Sequence, residues 1–348
     1  MSSTPPLSWP SVLAELIAGR DLDASTARMA MSSILSGDAT AAQIAAFLVA
    51  LRAKGEHVDE LTGLLDGALD AATIVPLTEE ERSQCVDIVG TGGDGSHSIN
   101  VSTMAAFVIA GVGVPVCKHG NRSASSKCGS ADLLELLGVA IELDADGVAA
   151  CIRQAGIGFC FAPVFHPAFR FAGPPRREIG VPTAFNLLGP MANPGRVRRQ
   201  VIGVADPRFV EPIALTLQRE GLARAWVVHG DGLDELTTTG PSTVLALAEG
   251  AIEEFTIDPA RLGLAPATAD DLRGGEPDEN AEVIRRVLGG QAGPHRDIVV
   301  LNAAAGLVVG GAVSDLGEGL ERAEAALDDG RAQAALDALV RVSQAHKG

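Results

Sequence analysis

The sequence predicts an α/β protein: a small helical domain, then a larger α/β domain with a mostly parallel central sheet. Three observations predict it. Residues 8–75 carry helical periodicity only, short apolar runs alternate with polar loops and helical stretches from Cys85 onward, and the first two of those runs end in glycine- and hydroxyl-rich segments. Strands alternating with helices build a parallel sheet, and ligands on such sheets gather at the carboxyl ends of the strands. The expected division is residues 1–83 for the helical domain and 84–348 for the α/β domain.

Taken in order, Ile44, Phe47, Leu48 and Leu51 repeat at helical spacing, as do Leu61, Leu64, Leu65 and Ala68. Ser25 or Thr26 is the expected cap of a helix running to Leu35 and ended by Gly37-Asp38. Val86 to Val89 reads as a short strand, Ser102 as the cap of a helix from Thr103 to Ala110, Val112 to Cys117 as a second strand, and Ser130 as the cap of a helix holding Leu133, Leu134, Leu136 and Leu137. Further strands are expected at Gly158–Ala162, Gln200–Ala205 and Ala225–His229. From Asn280 the chain returns to helices: Asn280–Leu288, an apolar stretch at Ile298–Val309, and Leu316–His346.

Hydrophobic residues make up 47% of the 348, enough for a full core, and no apolar run is long enough for a membrane helix. Residues 1–6 lack the basic start and apolar core of a signal peptide, and the five cysteines form no C-x-x-C pair. Both features fit a reducing cytoplasm. The net charge of −17 argues against general affinity for nucleic acid or anionic membrane. Between Lys118 and Arg208, however, 11 Lys/Arg face 7 Asp/Glu, a local net of +4. A basic centre in an acidic protein suits a small anionic ligand.

The chemistry concentrates in a few segments. Gly90-Thr91-Gly92-Gly93-Asp94-Gly95 places four glycines among six residues, so the backbone can turn sharply and bring its amides to an anion. Asn100-Val101-Ser102-Thr103 opens a helix, where amides and the helix dipole favour anions. Lys118 follows an apolar run and is expected at the mouth of the sheet, ahead of Ser125, Ser126 and Ser130, with Arg122 and Lys127 adding charge. Asp234-Glu235 lies beyond another expected strand, where adjacent carboxylates either form a polar turn or bind Mg2+ through oxygen. Arg176 or Arg177 can fork onto a carboxylate or pair with Glu178 at the surface. Gly90, Gly92 and Gly95 match G-x-G-x-x-G, but the following helix opens only near Ser102 and no acid lies between Gly95 and Asp132, which argues against a dinucleotide. No G-x-S-x-G, H-E-x-x-H or G-x-x-x-x-G-K motif is present.

The segments GTGGD at 90–94, NVST at 100–103, KHGNRSASSKCGSAD at 118–132, FAPVFHPA at 161–168, RREIGVPTAFNLLGPMANP at 176–194 and DGLDELT at 231–237, in that order, closely resemble the anthranilate phosphoribosyltransferases of tryptophan biosynthesis. The resemblance spans nearly the whole chain. It implies transfer of phosphoribose from phosphoribosyl pyrophosphate to the amino group of anthranilate. It also implies a nucleoside phosphorylase-like fold with part of 168–196 joined to the helical domain, two Mg2+ ions per site, and a homodimer through the helical domain.

Carried over by motif, the resemblance assigns Gly90, Gly93, Asp94, Ser98, Asn100, Val101, Ser102, Thr103, Lys118, His119, Gly120, Asn121, Arg122, Ser125, Ser126 and Ser130 to phosphoribosyl pyrophosphate. It assigns Gly90, Asn121, Arg176, His119 and His166 to anthranilate, Ser102 to one Mg2+, and Asp234 with Glu235 to the other. Ser98, Cys128 and Ala192 stand where the family often has threonine, serine and threonine; only Ser98 keeps the hydroxyl. No residue is assigned as a general base, because the amine of anthranilate is neutral and already nucleophilic. A nucleoside phosphorylase would not need Asn121 and Arg176 for a carboxylated ring. A nucleic-acid-binding relative of the fold would show a broad basic surface instead.

Overall fold

The structure, a computed structural model, describes residues 7–123 and 127–347, so Ser125 and Ser126 lie outside the described residues. Its N-terminal part is four helices, Trp9–Ile17, Ala24–Leu35, Ala41–Lys54 and Val58–Asp70. The cap of the second is Asp23, not Ser25 or Thr26: its carboxylate accepts the Thr26 N–H at 2.7 Å, and an ionised acceptor suits the positive helix end. Thr40 and Gln43 close a capping box on the third. The second and fourth helices cross so closely that a Cβ on Gly63 would lie 2.0 Å from the Ala24 carbonyl oxygen. Beside this crossing the buried Glu60 is fully engaged, accepting from Leu22 N–H at 3.0 Å, His57 N–H at 2.8 Å and Lys54 Nζ at 2.9 Å.

The larger part holds a seven-stranded sheet: β1 (Val86–Gly90), β2 (Val116–Gly120), β3 (Ile157–Phe161), β4 (Arg199–Gly203), β5 (Arg224–Gly230), β6 (Ser242–Ala248) and β7 (Ala251–Ile257). The order is β3-β2-β1-β4-β5-β6-β7; the first five strands are parallel, and β6 and β7 are added antiparallel. The parallel strands therefore end on one edge, at Gly90, Gly120, Phe161, Gly203 and Gly230. The order reverses between β1 and β4, which opens a crevice there.

Three local expectations are corrected. The first helix of this part runs Val101–Val112, and the second strand begins only at Val116, not Val112. Its last turn is held against the C-terminal helix Arg331–Ala345, where a Cβ on Gly111 would lie 2.8 Å from the Ala332 nitrogen; Gly113 then ends the helix at φ +104°. That tertiary contact outweighs the strand propensity of the valines. Ser102 lies inside this helix and caps nothing, and Gly129, not Ser130, precedes the helix Ser130–Leu136.

The sheet separates two cores. Ile88, Val116, Val201 and Val228 face the helices Val101–Val112, Pro294–Gly310, Leu316–Asp328 and Arg331–Ala345. Ile202, Ala225 and Val227 face the helix Val210–Arg219 and join one apolar cluster with the N-terminal helices. The segment carrying the helices Gly173–Ile179 and Ala184–Met191 also packs into that second cluster, through Ala172, Ala184, Phe185 and Leu188. All five cysteines are buried thiols. Among the described residues no helix is long and apolar enough to cross a membrane.

Candidate active site

A cavity of about 360 Å³ opens at the carboxyl edge, over the ends of β1 and β2. It is lined by Gly90, Gly93, Asp94, Ser98, Asn100, Val101, Ser102, Thr103, Lys118, His119, Gly120, Asn121, Arg122, Ser130, Arg176, Asp234 and Glu235. These come from segments far apart in sequence. His166 stands behind His119, with ring centroids 5.1 Å apart, and does not line the cavity.

At the β1–β4 crevice the glycine segment meets the acidic pair. Gly92 N–H donates to Asp234 Oδ2 at 2.6 Å, and Ser102 N–H donates to Glu235 Oε1 at 3.2 Å. The acidic segment is seated directly on the strand ends: a Cβ would lie 2.2 Å from Asp234 Oδ2 at Gly90, 1.6 Å from the Asp234 carbonyl oxygen at Gly203, and 2.3 Å from the Glu235 carbonyl oxygen at Gly230. Burial pushes both carboxyls well above the ordinary range; the nearby Asp94 charge adds to it at Asp234, and the Asp234 charge adds to it at Glu235. Lys118 opposes the rise at Glu235.

Lys118 is itself buried, at 2% exposure, and donates to the Ile88 carbonyl at 2.6 Å and to Ser102 Oγ at 3.3 Å. Burial pulls its pKa down, and Asp87 and Glu235 resist. Asp87 is a fully buried carboxylate that accepts from Asn193 Nδ2 at 2.7 Å and His119 N–H at 3.2 Å. Asn193 Nδ2 also donates to the Cys117 carbonyl at 2.7 Å. The pair fastens β1, β2 and the end of the Ala184–Met191 helix under the site.

Crowded carboxylates are costly to bury unless cations and hydrogen bonds offset the cost, and Lys118 offsets only part of it at Glu235. Asp234, Glu235 and the Ser102 hydroxyl form an all-oxygen donor set that fits a hard divalent ion. Among the described residues no three His, Cys, Asp or Glu side chains converge to hold a metal by themselves. The set therefore suits Mg2+, which is commonly held by one or two carboxylates together with substrate phosphates and water.

The other end of the cavity is aromatic and cationic. Arg176 lies over the Phe185 ring, 4.9 Å from its centroid, and Phe169 meets Phe185 edge-on at 5.2 Å. No carboxylate pairs with Arg176 among the described residues, and burial lowers its pKa, whereas Arg177 is exposed. His119 Nδ1 is 3.0 Å from the Gly189 carbonyl oxygen and His166 Nε2 is 2.9 Å from that of Ala192. A carbonyl only accepts, so those ring nitrogens carry the protons. That leaves His119 Nε2 and His166 Nδ1 as buried acceptors without a hydrogen-bond partner among the described residues. Burial holds both rings neutral, with pKa values of about 3 for His119 and about 4 for His166.

Other predicted site residues have partners within the protein. Arg122 is 2.8 Å from Asp132 and 2.9 Å from Glu135, and Lys127 is 2.8 Å from Glu276. Asn100 donates to the Cys128 carbonyl at 3.0 Å, and Asp94 accepts from Ser96. Ser130 Oγ donates to the Asn121 carbonyl at 3.2 Å, beside Gly120, where a Cβ would lie 2.4 Å from that same hydroxyl. Reading the sequence residue by residue missed Phe169, Phe185, Asn186, Gly189 and Pro190, which also line the cavity. Four of these lie inside the segment 176–194; the run of glycine, proline and asparagine there was the available signal.

A two-part fold with a carboxyl-edge cavity of this make-up defines a glycosyl transferase: residues 10–72 match the glycosyl transferase family helical bundle domain, and residues 82–333 match the glycosyl transferase family a/b domain. The chain is 52% identical to the anthranilate phosphoribosyltransferase of Rhodococcus opacus (strain B4), over 95% of this chain and 92% of that one. It is 50% identical to that of Mesorhizobium japonicum, over 95% and 97%. The chain belongs to the anthranilate phosphoribosyltransferase family. The solved anthranilate phosphoribosyltransferase of Thermus thermophilus superposes with a TM-score of 0.90 at 41% identity, over 96% of this chain and 99% of that one. The Saccharomyces cerevisiae enzyme in complex with PRPP (phosphoribosyl pyrophosphate) and Mg does so with a TM-score of 0.88 at 26% identity, over 97% and 98%.

Proposed function

We propose that the cavity transfers the phosphoribosyl group of 5-phosphoribosyl 1-pyrophosphate to the amino group of anthranilate, giving N-(5-phosphoribosyl)anthranilate and pyrophosphate, the second step of tryptophan biosynthesis from chorismate. The observation that carries this reading is one cavity with two unlike ends: glycine amides, Lys118 and an acidic pair at one, and Arg176 on the Phe185 ring with neutral His119 at the other. The yeast relatives solved with PRPP and Mg, and with 4-fluoroanthranilate, support it.

In this reading the backbone around Gly90 to Asp94 and the Ser102 and Thr103 turn hold the phosphates of the donor, with Asn100 and Lys118 beneath. Asp234, Glu235 and Ser102 would hold two Mg2+ ions, which when bound would supply positive charge toward the departing pyrophosphate. Arg176 holds the carboxylate of anthranilate, and Asn121 holds the ring edge. The C1–oxygen bond to pyrophosphate breaks ahead of formation of the C1–nitrogen bond, with inversion, and the amine loses one proton to solvent or pyrophosphate. Neutral His119 lines the cavity at the acceptor end and gives shape to the ring's seat. With its pKa near 3 it is too weak a base to be essential.

We also infer a division at 83/84 with part of 168–196 joined to the helical domain, a homodimer through that domain, and a cytoplasmic location. The decisive experiment is an assay with anthranilate and phosphoribosyl pyrophosphate, with and without Mg2+. Product that appears only with all three components is the expected result; turnover of a nucleoside with phosphate instead would sink the reading.

A further inference from the structure

One polar residue in the C-terminal core has no place in the site described so far. Asn302 lies mid-way along the helix Pro294–Gly310, is 0% exposed and does not line the cavity. Its inward neighbours on that helix are aliphatic or small. A buried amide without partners costs several kcal/mol, so its bonds must be accounted for. Oδ1 accepts the Leu236 N–H at 3.0 Å, and Nδ2 donates to the Leu236 carbonyl at 2.7 Å and to the Ile298 carbonyl at 2.9 Å. Asn302 thus grips the main chain of Leu236 from both sides, like a strand neighbour.

Leu236 directly follows Glu235. Upstream, the same segment turns sharply at Asp231 and Gly232, with φ +45° and +89°, and rests on glycines 90, 203 and 230, where no side chain would fit. Downstream, Thr237 N–H donates to Ser242 Oγ at 3.1 Å. The glycines limit how deep the segment can sink. Before the carboxylates, Gly230 exchanges main-chain hydrogen bonds with Leu233 at 3.1 and 2.8 Å. After them, the grip on the main chain comes from Asn302.

We propose that Asn302 is a positioning residue of the transfer reaction: by fixing the Leu236 main chain it sets the height and angle at which Asp234 and Glu235 enter the cavity. It touches neither substrate nor metal and acts through the acidic pair. The proposal rests on the reading that this pair serves Mg2+. Loss of groups that orient metal ligands typically costs about tenfold to a hundredfold in metal affinity.

The test compares wild type, Asn302→Ser and Glu235→Gln. Mn2+ binding in the presence of phosphoribosyl pyrophosphate is followed by electron paramagnetic resonance, alongside the KM for anthranilate and the melting temperature. For Asn302→Ser the expected result is metal affinity weaker by about tenfold or more, with the anthranilate KM within about twofold. A folded Asn302→Ser with unchanged metal affinity overturns the proposal, whatever its melting temperature. If Glu235→Gln also leaves metal affinity unchanged, the metal reading of the pair is what fails. Asn302→Thr, which fills more of the volume, replaces the serine variant should that one not fold. If neither folds, Asn302 serves the fold alone and the proposal falls.

Discussion

At the β1–β4 end of the cavity, charge is gathered and buried: Asp234, Glu235 and Lys118 crowd together, and burial disfavours the charged form of each. At the Arg176 end, burial has instead removed charge, leaving two neutral imidazoles and a single guanidinium seated on a phenyl ring. The first arrangement holds its acids above their ordinary pKa range, and a ligand that brought cations would favour their charged form. The second has no such deficit. It offers one cation against an aromatic wall, enough to orient a small aromatic acid. The same burial therefore yields a demand for a charged ligand at one end and selection by shape and hydrogen bonding at the other.

The sharpest way to break this contrast is to neutralise the acidic pair. Asp234→Asn with Glu235→Gln should lower Mg2+-dependent turnover by about a thousandfold, the scale of lost transition-state charge stabilisation, while the melting temperature holds or rises, since two crowded carboxyls are removed from burial. Activity retained at limiting Mg2+ would end their metal role. Next comes Gly203→Ala, whose Cβ would sit 1.6 Å from the Asp234 carbonyl oxygen. Turnover should fall about a hundredfold, on the scale of a misplacement of about 1 Å, and the Mg2+ requirement should rise with it. Steady-state kinetics across Mg2+ concentrations measures both.

At the other end the effects should be smaller and specific to the acceptor. Arg176→Ala should raise the KM for anthranilate by about ten- to a hundredfold, the worth of a charge-assisted hydrogen bond, and leave that for phosphoribosyl pyrophosphate nearly unchanged. The reverse pattern would move Arg176 to the phosphate end. Arg177→Ala should change neither. Smallest is His119→Asn, which can keep the bond to Gly189 but loses Nε2; kcat should drop by no more than about tenfold. Complete loss of turnover with both substrates still bound would make His119 an essential base.

The same histidines carry a pH signature. Their folded pKa values, about 3 and about 4, lie below the ordinary 6.5, so the unfolded chain binds protons that the folded chain refuses. Their contribution to stability is whole above pH 6.5 and is lost progressively as pH falls toward 3. Thermal melts between pH 7 and 4 should show His119→Asn to be less acid-sensitive than wild type. Equal slopes would mean that His119 is not held neutral.

The main architecture was legible because the five parallel strands are short apolar runs ending in glycine or a polar loop, a pattern that burial on both faces enforces. The hairpin of β6 and β7 was not read. Glu253, Glu254 and Phe255 on β7 are exposed and β6 is only partly covered, so neither strand shows a clean two-residue alternation. The helix running on through Gly111 to Val112 was missed because its cause, a helix backbone that a Cβ on Gly111 would meet at 2.8 Å, is absent from the local sequence. In the site, glycines, lysine, hydroxyls and paired acids announce their chemistry by type. Phe169, Phe185 and Gly189 do not, since their types are those of any core. Asp87, Asn193 and Asn302 act from beneath or behind the cavity, and only the assembled structure gives them a role.

The five cysteines have a use that follows from where they are. Cys85, Cys117, Cys151 and Cys160 are 0% exposed and Cys128 is 5% exposed, and burial raises the thiol pKa of Cys85 and Cys151. A thiolate reagent should find little to attack in the native chain and five groups in the unfolded one. The protein thus carries an intrinsic unfolding reporter, readable colour by colour in the presence of each substrate, and a fluorophore placed on one engineered surface cysteine would need no native thiol removed first.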